Sequence, residues 1–155
     1  MTNSGVISKT WGEFTPDDVF EMAVLRSEVF FLEQRIEEEE FDHLDRDPDT
    51  RHLWLSDDRG MSAYMRIVGN REDAALHGGA ELGFGRMVVR KDARGQGLAQ
   101  VLMDAAIAMV GDRPLFLHAQ EYVMSLYAKS GFTAVGETFM EAGIPHRVMV
   151  RPARG

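Results

Sequence analysis

The sequence predicts a single domain of the α/β (α+β) class that spans residues 1–155 and has one mixed β-sheet at its centre. A chain of 155 residues is long enough to bury a hydrophobic core without disulfides or metals. Short apolar runs separated by turns indicate strands that pair through hairpins. In the middle of the chain a strand, a helix and a strand follow one another, which is the pattern of a crossover connection.

Composition excludes several classes of protein. The absence of cysteine excludes disulfides, thiolate metal sites and a cysteine nucleophile, and it is typical of a reducing cytoplasm. The net charge of -8 argues against nucleic acid, because phosphate binding by a whole domain needs clustered Lys and Arg. No apolar run approaches the ~20 residues of a membrane span, and no signal-peptide pattern is present. We therefore expect a cytoplasmic protein that uses no metal and binds neither nucleic acid nor membranes.

The first helix has a clear start. Residues 7–14 carry the weak apolar pattern of an edge strand. Thr15 is then suited to the helix N-cap and Pro16 to the first helical position, and two acids fall in the first turn. Apolar residues at helical spacing continue to about residue 34, so the pattern predicts one helix over this stretch with an apolar face in the core.

An acidic segment follows this helix. Residues 33–49 contain nine Asp or Glu against two Arg, so most of the excess negative charge is local. Residues 35–50 have too little apolar periodicity for a helix and are long for a plain loop, which makes them a candidate substrate loop. Two interpretations stand: a solvated loop, or a negative field that attracts a cationic acceptor such as an amine.

The rest of the chain alternates between strands and helices. The expected elements are a hairpin of strands at 52–55 and 61–68 with a turn at 57–60, a mobile connection at 69–80, a strand at 82–89, a helix at 98–109, a strand at 115–119, a helix at 121–130 closed by Gly131, and strands at 132–139 and 144–150.

The strand at 82–89 leads into a glycine corner that opens the next helix. Gly95 and Gly97 form the corner. A strand that feeds such a corner leaves unpaired backbone N–H groups at the positive end of the helix dipole, which is an arrangement that binds phosphate. The Lys and Ser or Thr of a P-loop are missing, and no GxGxxG opens the chain, so the corner does not fit the nucleotide-binding motifs.

The corner also matches a family pattern. The run RGQGLA, from Arg94 to Ala99, fits Arg or Gln, two residues, Gly, one residue, Gly or Ala. Together with Tyr127 and the Gly-Phe pair that follows it, this motif resembles the GCN5-related N-acetyltransferases (GNAT) over almost the whole chain. Within that family the sequence is most similar to the ElaA group, through LRSEVFFLEQ at 25–34, Thr50 with His52, LHAQ at 117–120 and EAGIPH at 141–146. The resemblance implies the GNAT fold, a mixed and strongly twisted sheet of about seven strands flanked by about four helices.

The resemblance also implies acetyl-coenzyme A as co-substrate. Its pyrophosphate would bind the backbone N–H groups of the glycine corner, and main-chain groups of the preceding strand would pair with the pantetheine arm and place the thioester. The alternative is that the glycines only permit a tight turn. The expected coenzyme A contacts are Met87, Val88, Val89, Arg94, Gly95, Gln96, Gly97, Leu98, Ala99 and Gln100.

Catalytic side chains are harder to assign. The family places a tyrosine at the position of Tyr127 to protonate the departing thiolate, although this residue could also simply pack its helix against the sheet. Many members carry a carboxylate in the central strand, but here Phe84 stands near that position. Candidates for the base are His118, Glu33 and an ordered water, and Glu81 is the acid nearest the strand.

Other polar residues could serve the acceptor. Arg86, His52 and Gln120 could orient it or tie down the acidic segment.

The sequence thus predicts transfer of an acetyl group from acetyl-coenzyme A to a primary amine, either a small molecule or a peptide. Because the chain has no cysteine, direct attack in a ternary complex is the simpler mechanism. Alternatives are a coenzyme A sensor without turnover, an interaction protein whose acidic segment docks a basic partner, and transfer of a longer acyl chain. A monomer and a homodimer are both compatible with the sequence.

Overall fold

A computed structural model describes residues 5–153. It contains seven strands and three α-helices in the described part of the chain. Their bounds are β1 Ile7–Lys9, α1 Pro16–Arg26, β2 Arg51–Asp57, β3 Gly60–Gly69, β4 Leu82–Val89, α2 Leu98–Val110, β5 Leu115–Gln120, α3 Met124–Ala128, β6 Thr133–Glu141 and β7 Ile144–Arg151.

All seven strands form one mixed sheet in the order β1-β2-β3-β4-β5-β7-β6. Every neighbouring pair is antiparallel except β4 and β5, which are joined by α2 and run parallel. The expected mixed sheet of about seven strands is therefore confirmed, with three α-helices and one π-helical segment where about four helices were expected.

Two hydrophobic cores lie on opposite faces of the sheet, because neighbouring residues of a strand point to opposite sides. Leu53 and Met65 join the core on which α2 and α3 pack, whereas Trp54 and Tyr64 join the core on which α1 packs. Both faces of β2 and β3 are thus covered, which explains why these strands read as nearly continuous apolar runs.

The parallel strands β4 and β5 stay together over a short distance. They pair only from Leu82 to Phe84 on β4, although β4 continues to Val89. Just past that point, the pairing of β4 with β3 shifts register, so that Arg86 and Met87 lie opposite Met65 alone. This β-bulge holds Arg86 at a φ of 55°, a left-handed conformation that is uncommon for a residue other than glycine. Beyond the bulge the two strands separate and a gap opens between them.

Three arginines on the α1 side of the sheet hold the acidic segment. Arg26, which is fully buried, donates from Nη1 to Asp45 Oδ1 at 2.8 Å and from Nε to Glu40 Oε2 at 2.6 Å. Arg66 donates to both Asp42 and Asp45, at 2.7 and 2.8 Å. Arg86 reaches Glu40 at 3.2 Å. The segment is therefore neither a freely solvated loop nor a wholly unpaired negative field.

A neutral histidine completes this network. Burial lowers the pKa of His52, so its Nε2–H donates to the Asp45 carbonyl at 2.9 Å while Nδ1 accepts from the Tyr64 hydroxyl at 2.6 Å. Of the polar residues that the sequence offered for this purpose, Arg86 and His52 contact the acidic segment.

Several expected elements differ in the structure. The stretch at 7–14 is a three-residue strand followed by a 3₁₀ turn at Trp11–Glu13. Thr15 caps α1 as expected, accepting from the Asp18 N–H at 3.1 Å, but α1 ends at Arg26 and continues as π-helical turns over Ser27–Glu33. The helix expected at 121–130 is a 3₁₀ turn followed by the short α3.

The connection expected to be mobile contains ordered structure. A 3₁₀ turn at Ala74–His77 buries the His77 ring, which stacks on Phe116 with ring centroids 3.7 Å apart. Among residues 5–153, no helix is both long and apolar enough to cross a membrane.

Replacing Arg26 by methionine should destabilise the fold strongly. The substitution leaves the buried Asp45 carboxylate with one arginine fewer, and breaking a buried pair in this way typically costs about 3–5 kcal/mol. The matched control is Arg71→Met, since Arg71 is 88% exposed and its pair with Glu81 should contribute less than about 1 kcal/mol. Urea unfolding of the two variants measures the difference, and equal losses would contradict a structural role for the buried pair.

Acid should weaken the fold partly through Asp42. Burial opposes ionisation of this carboxyl, but the hydrogen bond and charge of Arg66 prevail and lower its pKa from 3.8 to about 2. A lowered pKa stabilises the folded state above about pH 4, and the contribution disappears as the pH falls towards about 2. Asp42→Asn should therefore be less stable than the wild type near neutral pH, with the two converging near pH 2 in pH-dependent urea unfolding. A constant difference over this range would show that Asp42 does not contribute through its charge.

Candidate functional site

A cleft of about 760 Å³ opens where β4 and β5 separate. The π-helical turns, the acidic segment, β4, β5, α3 and the β6–β7 hairpin all contribute to its walls. Among the residues predicted from sequence, the cleft is lined by Glu33, Arg86, Met87, Val88, Val89, Arg94, Ala99, His118, Gln120 and Tyr127. The rest of the glycine corner lies beside the cleft, at the start of α2: Gly95, Gln96, Gly97, Leu98 and Gln100.

The backbone of β4 presents hydrogen-bonding groups to this cleft. The Arg90 N–H donates to the Ser62 carbonyl of β3 at 2.8 Å. Because strand residues alternate in direction, Val88 also faces β3, whereas the N–H and C=O of Met87 and Val89 face away from it. The separated β5 does not pair with this part of β4. The main-chain groups of Met87 and the N–H of Val89 are therefore available to a ligand that lies along the strand.

The glycine corner has a backbone that only glycine adopts readily. Gly95 and Gly97 have φ values of 82° and 75°, and Gly97 is the N-cap of α2 without any side-chain cap. The first-turn N–H groups of Leu98, Ala99 and Gln100 have no acceptor within the helix. A Cβ at Gly97 would meet no atom of the protein within 4 Å, so the requirement for glycine comes from the backbone conformation. The corner presents several N–H groups at the positive end of a 13-residue helix.

Arg94 links the corner to the π-helical turns. Its guanidinium makes a bidentate pair with Glu33, both N···O distances being 2.7 Å, and its Nε donates to the Val89 carbonyl at 3.1 Å. The hydrogen bond from Arg94 lowers the pKa of Glu33. Both carboxylate oxygens of Glu33 accept hydrogen bonds from Arg94, so neither is free to take a proton from a substrate, and this geometry does not favour Glu33 as a base.

Tyr127 lies in the wall of the cleft on α3. Its ring is 8% exposed and packs edge to face on Phe84 and Phe132, with centroids 6.0 and 6.3 Å apart. Burial raises the pKa of Tyr127 to about 12, so the hydroxyl keeps its proton at neutral pH. Tyr127 is therefore both a packing residue and a protonated hydroxyl at the cleft. Phe84, which stands near the expected position of a carboxylate, supplies an aromatic contact to it.

His118 lies at the other side of the cleft, and both of its ring nitrogens are engaged. Nδ1 is 2.9 Å from Glu141 Oε1, and Nε2 is 3.0 Å from Nε2 of His77. Neither nitrogen is free to contact a substrate directly. Glu141 lines the same cleft and keeps a second oxygen, Oε2, which is 3.6 Å from His146 Nε2.

Glu141 and His77 were missed by the sequence reasoning. Glu141 ends β6 and pairs with Ile144 across the hairpin, while His77 comes from the connection expected to be mobile. The EAGIPH run that begins at Glu141 was a usable signal, because a hairpin beside the end of β5 brings its first residue to the cleft. Glu81, by contrast, is paired with Arg71 and lies outside the lining of the cleft.

The described residues give no indication of a metal centre. Within 5–153, no set of three or more His, Cys, Asp or Glu side chains is grouped closely enough to hold a metal ion.

Comparison with known sequences gives consistent matches. The family profile described as "Acetyltransferase (GNAT) domain" matches residues 13–151. A UPF0039 protein of Mycobacterium tuberculosis is 39% identical over 140 residues, which cover 88% of this chain and 86% of that protein. Protein ElaA of Escherichia coli is 30% identical over 145 residues, which cover 90% of each chain.

Comparison with solved structures agrees. The crystal structure of an acyl-CoA N-acyltransferase from Pseudomonas aeruginosa has a TM-score of 0.84 and 35% identity, covering 94% of this chain and 97% of that chain. The crystal structure of Escherichia coli ElaA has the same TM-score and coverage at 27% identity.

Gly97→Ala should weaken binding of coenzyme A. An alanine at a φ of 75° is strained by about 1 kcal/mol or more, and relaxing the strain moves the N–H groups of the corner. We expect an affinity loss of about tenfold, measured by titration calorimetry with coenzyme A. Gly69→Ala is the matched control, because Gly69 has open space around it and no left-handed φ. Equal affinity of the two variants would contradict a role for the corner in binding.

Proposed function

Because the chain belongs to the GNAT acetyltransferase family, and within it to the ElaA-like group, we propose that it transfers an acetyl group from acetyl-coenzyme A to a primary amine. The observation that carries this proposal is the cleft between β4 and β5. It combines free strand backbone, a glycine corner at a helix N-terminus and a protonated tyrosine in one site.

The glycine corner is suited to bind the acetyl donor, acetyl-coenzyme A. N–H groups at the start of α2 are suited to the pyrophosphate of coenzyme A, since the positive end of the helix favours an anion. From there the pantetheine arm would run along β4 and pair with main-chain groups of Met87 and Val89. A main-chain N–H of this strand would stabilise the thioester carbonyl oxygen as it gains negative charge.

Tyr127 supports the departure of the thiolate. In the proposed reaction the amine nitrogen attacks the thioester carbonyl, a C–N bond forms and the C–S bond breaks. The thiolate takes the proton of the Tyr127 hydroxyl, which the raised pKa keeps in place at neutral pH. The chain has no cysteine to carry the acetyl group, so direct attack within a ternary complex is the simpler route.

The acceptor would enter beside the acidic segment. Glu38 and Glu39 are exposed side chains of this segment that line the cleft. Their negative charge favours an acceptor that arrives as a cation, as a primary ammonium group does at neutral pH.

Release of free thiol tests this function. The protein is incubated with acetyl-coenzyme A and a panel of primary amines (benzylamine, 1,5-diaminopentane and lysine amide), and the acetylated amine is identified by mass spectrometry. Thiol release that depends on the amine supports the proposal. Saturable coenzyme A binding without release on any amine would favour a sensor, and faster release from a longer acyl-coenzyme A would correct the acyl group.

Tyr127→Phe should lower turnover far more than it weakens coenzyme A binding. The variant keeps the ring that packs on Phe84 and removes only the acidic hydroxyl, so we expect kcat to fall about 100-fold while the calorimetric affinity for coenzyme A changes little. Tyr122→Phe, which removes a hydroxyl from a ring that is 74% exposed at the rim of the cleft, should have a much smaller effect. Unchanged turnover in Tyr127→Phe would remove this residue from the mechanism.

A further inference from the structure

Three side chains form a hydrogen-bonded chain at the end of the cleft away from the glycine corner. Glu141 Oε1 is 2.9 Å from Nδ1 of His118, and Nε2 of His118 is 3.0 Å from Nε2 of His77. Nδ1 of His77 is in turn 2.9 Å from the backbone carbonyl oxygen of Asp73. The chain begins at a carboxylate that is 46% exposed to the cleft and ends at a buried imidazole.

The fold holds this chain in place through Gly83 and Phe116. These residues pair across β4 and β5, and a Cβ at Gly83 would lie 2.5 Å from the Phe116 ring. Glycine therefore allows the ring to lie over β4, where it stacks on His77 at 3.7 Å with an interplanar angle of 16°. The pairing of Gly83 with Phe116, just before β4 and β5 separate, thus fixes the orientation of His77.

The partners of each atom assign the protons. The Asp73 carbonyl can only accept, so Nδ1 of His77 carries its proton, and a neutral His77 then offers Nε2 as an acceptor. His118 must therefore donate from Nε2. The Glu141 carboxylate also only accepts, so the complete set of hydrogen bonds places a proton on both nitrogens of His118. Without a proton between His118 and Glu141, two lone pairs would face each other at 2.9 Å.

The surroundings support these charge states. The hydrogen bond from His118 lowers the pKa of Glu141, and burial lowers the pKa of His77. The charged and titratable groups that face Glu141 are His118 on β5, His146 on β7 and Arg86 on β4. His118 faces Glu141 and His77, and His77 faces His118 and Asp73. The proton assignment requires an ionised Glu141 at one end of the hydrogen-bonded chain and a neutral His77 at the other, and both pKa shifts favour these states.

We propose that Glu141 takes the proton from the attacking amine, and that His118 stores it at Nδ1 while His77 fixes the tautomer of the His118 ring. This inference rests on the proposed acetyl transfer. Glu141 lines the cleft with a second oxygen, Oε2, whose contact with His146 Nε2 is longer than a hydrogen bond at 3.6 Å, so it would contact the substrate, whereas His118 and His77 are positioning residues. The active form is the one in which the Glu141–His118 pair has given up the shared proton.

The protons of the reaction balance as follows. An ammonium group loses two protons when it becomes an amide. The first goes to the Glu141–His118 pair before attack and later leaves to solvent. The second is lost from nitrogen after the C–N bond forms, and it replaces the proton that Tyr127 gives to the thiolate when the C–S bond breaks. One proton, the free thiol and the acetylated amine are the products.

Glu141→Gln tests the proposal through the pH dependence of kcat/KM, measured as thiol release with whichever amine of the panel the wild type uses fastest. An amide cannot take the proton, so we expect kcat/KM to fall about 100-fold at high pH and much less at low pH, where the wild-type pair is already protonated. The titration of the amine cancels in the ratio of the two profiles. Affinity for coenzyme A should not change, and Glu137→Gln, an exposed position on the same strand, should behave as the wild type.

The outcomes distinguish the role of Glu141 from the proposed acetyl transfer itself. Thiol release by the wild type together with a pH-independent ratio near one overturns the role of Glu141 and leaves acetyl transfer standing. No thiol release on any amine overturns both, and coenzyme A affinity then tells whether the donor site exists.

A second readout does not depend on turnover. Nitrogen NMR of the imidazole rings should show a proton on Nε2 of His118 and none on Nε2 of His77, and the Nδ1 signal of His118 should change in Glu141→Gln. Identical His118 signals in the two proteins would contradict the assigned chain.

Discussion

The separation of β4 from β5 is the constraint around which the structure is arranged. Two parallel strands that stayed paired would satisfy each other's backbone groups and leave no cleft. Here pairing stops at Phe84, and the bulge at Arg86 and Met87 turns the rest of β4 away. The unusual φ of Arg86 lies at this bulge, and strained backbone of this kind clusters at functional sites. The unpaired part of the β4 edge thereby lies in the wall of the cleft.

Charge is organised around the same gap. Much of the acidic segment is neutralised by Arg26, Arg66 and Arg86, which come from α1, β3 and β4. Buried pairs of this kind add little net stability, because the cost of removing both charges from water offsets their attraction. The ion pairs instead hold the acidic segment in one conformation, since a loop of this length could otherwise adopt many. Glu38 and Glu39 line the cleft, so the paired acids fix the wall and these two contribute to its negative potential.

Local patterns predicted the elements well and the long-range pairs poorly. The cap at Thr15, the glycine corner and the strand that ends at Val89 follow from short-range rules of backbone conformation, and the structure contains all three. The π-helical turns after Arg26 could not be predicted from the sequence. Over two turns, the α-helical spacing of 3.6 residues per turn and the slightly wider π-helical spacing bury similar residues. The contact of His77 with His118 joins residues 41 positions apart, and that of His118 with Glu141 joins residues 23 apart. Such contacts depend on strand order, and strand order is not encoded in any local stretch.

The arginines that hold the acidic segment also imply an order of folding. Their partners lie up to 47 residues away in sequence, so the segment has no binding site until α1, β3 and β4 have assembled. Closing such a loop early would cost chain entropy before any favourable contact could offset that cost. We expect these ion pairs to form after the rate-limiting step, so that weakening them accelerates unfolding and leaves the rate of folding almost unchanged. The lifetime of the folded cleft wall is then set by its rate of unfolding.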